Sequence, residues 1–570
     1  MLAEVSFTMD ILTINPADYG IVPDTGADLT DNFRQMFDAC SEKDDSIKIE
    51  LQQGVYDIFA KSAQKELTYI TNTAGEKEVP NHVHTFALLL RGLKNVEIDG
   101  KGAEILLHGM MTNMFIDNCS NIKISNLTID YDRPTVSEIE IVEKKPFSAI
   151  LKIHKDSHYR IKNGKLTFYD ENWTWRSTKN WTYPMTMAAF AAEPDRLVRT
   201  AKHPFFAATS VKELEPNLVK VRYFLPPAFA KGDRYAIGTV KRYEVGIFVN
   251  RSDGITFKNF NQHYNHSHAL VAQLSSDITL DTVVFAPRKG GGRMVASHTD
   301  FLHFCLCSGN IVVKNSCFEG SNDDFINVHG VFWDIKSATD NEVQAVFKHH
   351  QTYGFNAFDA GDTVTFVNKS DLLPVFSSKV VSSELVTPYT TKIVLEDAIP
   401  DKAKKNCAIE NSSRNANLDY RQNYLGMGTA RGVLVTTAGR VDIVENTFKK
   451  TAMAGIFISD DCRAWYESGC VRDVNIESNR FIDCGKTTIL IWPENQAHRG
   501  AVHSNINIEN NAFHLGRTSA IVARSSDNIN IKSNTFDGST AGQLLIRTIK
   551  CQDVSIRDND LAENYEIERS

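Results

Sequence analysis

The stretches VDIVENTF (441–448), VNIESNRF (474–481), INIENNAF (506–513), INIKSNTF (529–536) and VSIRDNDL (554–561) are five copies of one pattern. Each copy has apolar residues at alternate positions, then an Asn, then a further apolar residue. Alternation with a period of two is typical of a β-strand, and Asn favours a bend. The Asn positions lie 33, 32, 23 and 25 residues apart, which is the length of one coil of a solenoid.

The same pattern occurs earlier in the chain, so at least ten units lie between residues 95 and 560. Second apolar runs lie between the copies, for example at residues 455–458 and 489–492. Coils of this kind predict an all-β chain, a right-handed parallel β-helix in which Asn and apolar residues stack in ladders. A leucine-rich repeat is excluded because neither its leucine spacing nor its helices occur. The earlier copies are residues 96–98, 122–124, 255–257, 278–280 and 311–313.

Two long stretches interrupt the repeats and hold longer alternating runs, which favours a small β-barrel or sandwich in each. Insertions in solenoids commonly leave from the binding face. We therefore divide the chain into six segments. They are an N-terminal strand and capping helix (1–45), β-helix coils (46–133), a first barrel-like domain (134–245), coils with candidate catalytic residues (246–333), a second barrel-like domain (334–428) and C-terminal coils (429–570).

The two ends of a solenoid expose apolar cross-sections and need caps. At the N-terminal end, residues 28–40 predict an amphipathic helix behind Thr30 as a cap, because Phe33, Met36, Phe37 and Cys40 follow helical spacing. At the C-terminal end, either the tail 564–568 or a second copy of the chain in a homodimer covers the last coil.

Composition excludes several classes of partner. The 570 residues carry a net charge of −8 and a pI near 6.1, which argues against nucleic acid or an anionic membrane surface. The ten cysteines lack metal-ligand spacing and favour buried thiols, such as Cys305 and Cys307. No apolar run approaches the roughly 18 residues of a membrane span. The first residues lack a basic n-region, so the chain is either cytoplasmic or had a signal peptide removed.

Two short motifs lie 23 residues apart, His298-Thr299-Asp300 and Asn322-Asp323-Asp324. Stacked coils place Asp300 and the Asp323/Asp324 pair on neighbouring rungs of one face. Three carboxylates in one patch cannot all ionise freely, so at least one pKa must rise. Acid/base cleavage of a glycosidic bond needs one protonated carboxyl and one carboxylate. The motifs therefore predict a glycoside hydrolase.

Each aspartate has an expected role. Asp323 is the candidate general acid, and Asp300 with Asp324 is the pair that holds the attacking water. Direct attack by water inverts the anomeric configuration. We expect Asp300 to follow a strand over residues 294–297 and a bend at residues 321–322 to turn Asp323 and Asp324 into the groove.

Two other interpretations of the acidic patch stay open. Aspartates at bends of a β-helix also hydrogen-bond backbone amides. Clustered carboxylates and carbonyls also suit a calcium ion, and calcium-dependent lyases on similar solenoids need a basic side chain. Arg288, Lys289 and Arg293 would supply it.

Further polar and aromatic residues would extend a sugar-binding groove along the stacked coils. Structural roles are also open for three of them: Trp492 is then an aromatic residue at the edge of the core, and Asp460 and Asp461 form a loop bend. The histidines His263, His266 and His268 are interpreted as surface residues in a bend. The candidate substrate-binding residues are His298, Arg431, Asp460, Asp461, Trp465, Glu467, Trp492 and Glu494.

The aspartate motifs resemble the Asn-Thr-Asp and Gly-x-Asp-Asp pattern of polygalacturonases, with three departures. His298 replaces the usual Asn, Phe325 stands in place of Cys, and an Arg-x-Lys cluster for a uronate is not apparent. The strings SHTDF (297–301), GSNDDFINVHG (320–330) and RGVLVTT (431–437) look instead like glycoside hydrolase family 110, the bacterial α-1,3-galactosidases. This resemblance covers nearly the whole chain.

The resemblance implies a β-helix with two inserted barrels and inverting, exo-acting release of terminal α-1,3-linked galactose. The implied substrates are blood group B antigen, linear α-1,3-galactosides or both. The resemblance places the family's catalytic aspartates on Asp300, Asp323 and Asp324, without a metal or a cofactor. It also implies a periplasmic or secreted protein. Two alternatives remain, a polygalacturonase-like hydrolase of another glycan and a non-catalytic carbohydrate-binding protein on the same scaffold.

Overall fold

The computed structural model describes residues 11–43, 45–79, 81–176, 186–238, 242–485, 487–516, 518–540, 543–560 and 565–568. Within them, two long sheets stack coil upon coil, and nearly all of their strand pairs are parallel. The coil of residues 503–524 is representative, with strands His503–Glu509, Ala512–His514 and Ile521–Arg524. The first two belong to one sheet, which bends between them, and the third belongs to the other.

The larger sheet, sheet A, has 21 strands. They are Ile11–Ile14, Ser46–Glu50, Val55–Phe59, Lys94–His108, Ser120–Tyr131, Asp253–Gln262, Ser276–Asp281, Val284–Phe285, Ser308–Lys314, Cys317–Ser321, Asn417–Arg421, Tyr424–Gly428, Arg440–Val444, Thr447–Lys449, Asp473–Glu477, Arg480–Ile482, His503–Glu509, Ala512–His514, Ser526–Lys532, Thr535–Asp537 and Gln552–Arg557.

The second sheet, sheet B, has 14 strands. They are Gln64–Leu67, Val83–Arg91, Thr112–Asp117, Ile247–Asn250, Leu270–Gln273, Leu302–Cys305, Ile326–Val331, Val433–Thr436, Ile456–Ile458, Glu467–Ser468, Ile489–Ile491, Ile521–Arg524, Ile546–Ile549 and Tyr565–Glu568. The last strand pairs with Ile546–Ile549, so the described part of the tail extends this sheet by one rung. Residue 564 of the expected cap lies outside the described residues.

The Asn ladder predicted from the repeats is confirmed. The Asn446 amide donates to Asn479 Oδ1 at 2.9 Å, and the Asn479 amide donates to Asn511 Oδ1 at 2.9 Å. The phenylalanines two residues further on stack with ring centroids 4.9–5.0 Å apart, from Phe448 to Phe536. Buried amides cost free energy unless they are hydrogen-bonded. Each Asn side chain therefore both satisfies a buried backbone amide at the bend of the neighbouring coil and fixes the register between the two coils.

In its described residues, the first inserted domain has a seven-stranded antiparallel sheet and a three-stranded one, which share a single apolar core. The seven strands are Ser137–Lys145, Ser148–Ile153, Thr186–Ala189, Val198–Thr200, Ala208–Glu215, Leu218–Tyr223 and Arg234–Ile237. The three are Tyr159–Lys162, Lys165–Tyr169 and Thr174–Trp175.

The second inserted domain is a closed barrel of six strands. They are Trp333–Ala338, Glu342–Phe347, Thr363–Asn368, Pro374–Thr387, Thr390–Leu395 and Cys407–Asn411. The fold class predicted from the sequence, a parallel β-helix with two inserted small β domains, is confirmed.

The N-terminal helix is Thr30–Ser41, and the short 3-10 helix Pro16–Tyr19 precedes it. Phe33, Met36 and Phe37 are buried in the main core, which confirms the capping helix. The prediction that Thr30 caps the helix is wrong, because the cap is Leu29 and Thr30 is the first helical residue. The Thr30 hydroxyl instead donates to Asp28 at 2.6 Å.

The cysteines are free thiols in this structure, and Cys305 and Cys307 are buried, as predicted. A helix of the length and apolar character needed to cross a bilayer is not found among the described residues.

Candidate active site

Asp300 and Asp324 occupy equivalent positions on neighbouring coils, directly before the strands Leu302–Cys305 and Ile326–Val331. Leu302 pairs with Ile326, and the Phe301 amide donates to the Asp324 carbonyl at 3.0 Å. The prediction that Asp300 follows a strand over residues 294–297 is wrong. In that stretch Ser297 is held by isolated bridges to Asn265 and Ser321, and the strand begins after Asp300.

Asp323 lies in a bend at residues 322–323, between a strand of sheet A and the next strand of sheet B. The Ser321 hydroxyl accepts from the Asp323 amide at 3.2 Å. Gly320, in the strand Cys317–Ser321, has a φ of +84°, and a Cβ there would lie 2.6 Å from the Met294 carbonyl oxygen, so only glycine fits this position without strain. Oxygens of Asp300, Asp323 and Asp324 lie within 4.8 Å of one another.

Two arginines, Arg199 and Arg242, form ion pairs with Asp323. Arg199 Nη2 lies 3.1 Å from its Oδ1 and Arg242 Nη2 lies 2.8 Å from its Oδ2. Burial raises the pKa of Asp323, but the charges of Arg199 and Arg242 outweigh burial and hold this pKa below its usual value. Arg199 lies in the strand Val198–Thr200 of the first inserted domain, and Arg242 follows that domain.

Asp324 is paired with Arg431 of the next coil. Both the Arg431 amide and its Nε donate to Asp324 Oδ1, at 2.9 Å and 2.8 Å. Burial raises the pKa of Asp324 to about 7, against the opposing charge of Arg431 and with help from the charges of Asp323 and Asp300. Arg431, expected to bind substrate, therefore orients a carboxyl of the cluster.

Asp300 forms a hydrogen bond with a histidine instead of an ion pair with an arginine. Its Oδ2 lies 2.9 Å from His303 Nδ1, and His303 Nε2 lies 2.9 Å from His329 Nε2. Burial, followed by the charge of Asp323, raises the pKa of Asp300 to about 8. Asp323 thus ionises far more easily than Asp300 and Asp324, and such a separation between carboxyls is the property that acid/base chemistry requires.

Glu467 and Trp465 lie in one short segment that contacts the strand Ile326–Val331 and the second inserted domain. The short strand Glu467–Ser468 pairs antiparallel with Ile326–Val331, and Asn327 Nδ2 donates to Glu467 Oε1 at 3.0 Å. The Trp465 side chain is 48% exposed, and its ring centroid lies 5.0 Å from that of His349 in the second inserted domain. Sugar rings commonly pack on aromatic rings presented in this way.

Four other expected groove residues follow strands of sheet B at their carboxyl ends. Asp460 and Asp461 follow the strand Ile456–Ile458, at the edge of sheet B opposite the one that Asp300 and Asp324 precede. Asp461 accepts from the backbone amides of residues 463–465, the loop-bend role that the sequence left open. Trp492 stacks under Arg524 at 4.9 Å, and the Glu494 amide donates to the Asp460 carbonyl.

The histidines differ from expectation. His298 is only 1% exposed, and a Cβ at Gly238 would lie 2.6 Å from its Cε1, so its ring packs against the backbone that follows the strand Arg234–Ile237 of the first inserted domain. The interpretation of His266 and His268 as surface residues is wrong, because both are buried. His268 Nε2 lies 3.7 Å from Asp300 Oδ2, and His263 is half-buried.

Within the described residues, two groups of side chains bring possible ligand atoms within 4.8 Å of one another. They are the three aspartates, and Asp300 with His268 and His303. Arg199, Arg242 and Arg431 already face the aspartates, and His303 is bonded to Asp300. A cation would meet these positive charges, so we identify none of these residues as a metal ligand.

Sequence reasoning missed Arg199, Arg242, His303 and His329. The two arginines belong to or follow an insertion that carries no motif, so spacing offers no signal for them. The histidines did leave a signal, since His303 and His329 lie in the strands that directly follow Asp300 and Asp324.

Comparison with known proteins agrees with this architecture. Family models described as GLAA-B β-barrel domain I, GLAA-B β-barrel domain II and right-handed β-helix region match residues 137–233, 342–409 and 431–567. Alpha-1,3-galactosidase A of Bacteroides thetaiotaomicron is 34% identical, over 95% of each chain. Alpha-1,3-galactosidase A of Bacteroides fragilis is 32% identical, over 92% of this chain and 87% of that protein.

A solved exopolygalacturonase of Thermotoga maritima is similar with a TM-score of 0.43 and 8% identity, over 98% of this chain and 93% of that one. This likeness is too remote to carry an argument about function. The two galactosidases match almost end to end, and the GLAA-B models match the two inserted domains. The chain therefore belongs to the α-1,3-galactosidase family, glycoside hydrolase family 110, and is a glycosidase.

Proposed function

We propose that this glycosidase is an exo-acting, inverting hydrolase that releases terminal α-1,3-linked galactose. Its substrates are blood group B antigen, linear α-1,3-galactosides or both. The single observation that supports this most strongly is the cluster of three carboxyls, each with a different partner: two arginines at Asp323, one arginine at Asp324 and a histidine at Asp300.

In this proposal Asp323 is the general acid. It is the most exposed of the three carboxyls, at 14% against 8% for Asp300 and 3% for Asp324, and so it is the one that a glycosidic oxygen can approach. Asp300 and Asp324, stacked on neighbouring rungs, hold the attacking water, and Asp300 accepts its proton. The bond from the anomeric carbon to the leaving oxygen breaks while the bond to water forms on the opposite face.

The ion pairs and burial of these carboxyls favour, in the free protein, the protonation state that one turnover leaves behind. After cleavage, Asp323 has given its proton to the leaving oxygen and Asp300 has taken one from water. The free protein has the same distribution, because the arginines keep Asp323 ionised and burial keeps Asp300 protonated. Each cycle must then return one proton from Asp300 to Asp323. A bound sugar that takes over hydrogen bonds of Arg199 or Arg242 would allow this, since Asp323 then becomes more basic.

A neutral terminal galactose suits the rest of the site. Trp465 offers an exposed ring for the apolar face of a sugar, and Arg431, held by Asp324, has its guanidinium 5.7 Å from the Phe457 ring. Glu467, held by Asn327, would accept hydrogen bonds from sugar hydroxyls. Such a combination of an aromatic platform and a few fixed polar groups is typical of ligand sites.

We also propose a periplasmic or secreted location, since complex glycans of this class lie outside cells, and a homodimer as the solution state. Neither nucleic acid nor a membrane takes part in this function. Fractionation of the native host tests the location. Sedimentation of the full chain tests the dimer, which a mass near the 63.9 kDa of one chain would contradict.

The substrate proposal is tested by product analysis on two glycans, Galα1-3Gal and the fucosylated B trisaccharide, with Asp324→Asn as the matched inactive preparation. Galactose from one or both, with none from the variant, supports the proposal and shows whether a fucose branch is needed. Intact glycans in every sample would contradict the substrate class and would favour another glycan as the substrate or binding without cleavage.

A further inference from the structure

A row of hydrogen bonds leads from the catalytic cluster into the protein. Asp300 Oδ2 lies 2.9 Å from His303 Nδ1, and His303 Nε2 lies 2.9 Å from His329 Nε2. His329 Nδ1 lies 2.7 Å from the carbonyl oxygen of Gly330. Both imidazoles are buried, so water cannot replace a missing partner in this row.

The Gly330 carbonyl fixes the position of every proton in the row. A carbonyl oxygen only accepts, so the hydrogen of a neutral His329 is on Nδ1 and its Nε2 is bare. The bare Nε2 must accept from His303 Nε2, which leaves His303 Nδ1 bare as well. The hydrogen bond between His303 Nδ1 and Asp300 then needs a proton from the carboxyl. Three hydrogen bonds need three protons, and two neutral imidazoles supply only two.

The third proton rests on Asp300 and not on an imidazole. Burial lowers the pKa of His303 to about 4 and also lowers that of His329, whereas it raises the pKa of Asp300 to about 8. The charged groups facing this row are Asp323, Asp324, Glu467, Arg242 and Arg431, and the buried His268 and His349 also lie nearby. These opposed charges do not reverse the order of the three pKa values.

We propose that His303 and His329 are positioning residues that keep one proton on the base Asp300 in the free protein. The pair acts through Asp300 and touches no substrate atom. Its effect on catalysis rests on the function proposed above, in which Asp300 must pass this proton to Asp323 before each cleavage. The step is a single proton transfer, in which the Asp300 O–H bond breaks and an O–H bond forms on Asp323, with no other reactant.

The tautomers can be measured without any substrate. Long-range 1H–15N NMR of the full chain labelled in histidine distinguishes an Nδ1–H imidazole, an Nε2–H imidazole and an imidazolium. Signals are identified by their loss in His303→Asn and His329→Leu. At pH 7 we expect His303 as the Nε2–H form and His329 as the Nδ1–H form, both neutral. An Nδ1–H His303, or an imidazolium at either residue, would overturn the proposal.

The catalytic consequence is measured by the pH profile of kcat/KM. In His329→Leu, His303 is free to move its hydrogen to Nδ1 and donate to an ionised Asp300, and in His303→Asn the amide donates in the same way. Both changes stabilise the carboxylate, so the basic limb of the profile moves to lower pH by about one unit. His266→Asn, at a residue that is equally buried but bonded to Thr135 and outside the row, is the matched control, and its basic limb should lie at the same pH as that of the unchanged protein.

The two experiments separate the possible failures. A protein that cleaves no α-galactoside contradicts the proposed function, while the NMR still decides where the proton rests. Circular dichroism and thermal unfolding check that both variants are folded. If the tautomers are as expected but the basic limb of the kcat/KM profile does not move in either folded variant, the positioning role is overturned.

Discussion

Arg242 Nη2 lies 2.8 Å from Asp323 Oδ2, so a cation that follows the first inserted domain faces a carboxyl at a bend of the β-helix. Arg199, inside that domain, completes the clamp at 3.1 Å. The insertion thus supplies the charge that keeps one of three crowded aspartates ionised. The solenoid itself provides the three carboxyls and Arg431, the partner of Asp324.

We expect Asp323→Asn to lower kcat on a disaccharide by about 10²–10⁴-fold, the usual contribution of a general acid. On a 2,4-dinitrophenyl galactoside the loss should be far smaller, because this leaving group departs without a proton. Asp300→Asn removes the base and should fail on both substrates. Steady-state rates on the two substrates check this, and an Asp323→Asn that fails equally on both would contradict its role as the acid.

The same two aspartates should affect stability in opposite directions. The pKa of Asp300 is raised in the folded state, so the protein loses stability as pH rises from the unfolded pKa near 4 towards 8. Asp300→Asn removes this loss and should raise the free energy of unfolding by roughly 1–3 kcal/mol at pH 8, with much less gain at pH 4.

The pKa of Asp323 is lowered, so its contribution is present above the unfolded pKa near 4 and is lost as pH falls through the folded value. Asp323→Asn leaves Arg199 and Arg242 without their carboxylate and should cost about 1–3 kcal/mol at pH 8. Denaturant unfolding of both variants at pH 4 and pH 8 measures these changes. A destabilised Asp300→Asn at pH 8 would show that its carboxyl is not held protonated.

Trp465 and Trp492 are both expected in the groove from the sequence, and they have different surroundings: Trp465 packs against His349 of the second inserted domain, whereas Trp492 lies under Arg524. Trp465→Ala should raise KM about fivefold with little change in kcat, since loss of a stacking platform is worth roughly 1 kcal/mol. Trp492→Ala serves as its control and should keep the KM of the unchanged protein. Equal effects of the two substitutions on KM would argue against this placement.

The substitution Asn479→Ala tests the Asn ladder of the β-helix, far from the active site. This change removes the acceptor for the Asn446 amide and the donor to the Ile443 carbonyl, leaving buried partners unsatisfied at a cost of about 2–4 kcal/mol. Asn475→Ala, at a half-buried strand position, should cost under about 0.5 kcal/mol. Unfolding in urea compares them, and similar midpoints for the two variants would contradict a structural role for the ladder.

The β-helix was predictable because its information is local and repeated: strand, Asn and apolar residue recur at each coil, and the observed ladder of Asn446, Asn479 and Asn511 follows directly. The neighbouring positions of Asp300 and Asp324 follow from the same repeat. The clamp of Arg199 and Arg242 could not be predicted, because its position depends on how an unrelated domain packs on the coils. The tautomers of His303 and His329 depend on the carbonyl of Gly330, a backbone group without any sequence signal.

The central claim is that Asp323, Asp300 and Asp324 together perform a single direct displacement by water. Proton NMR of the reaction with Galα1-3Gal, recorded before mutarotation, tests it most directly through the anomeric signal of the released galactose. We predict β-galactose as the first product, converting slowly to the α form. Initial α-galactose would mean two displacements through a covalent intermediate, and would contradict the assignment of these three carboxyls.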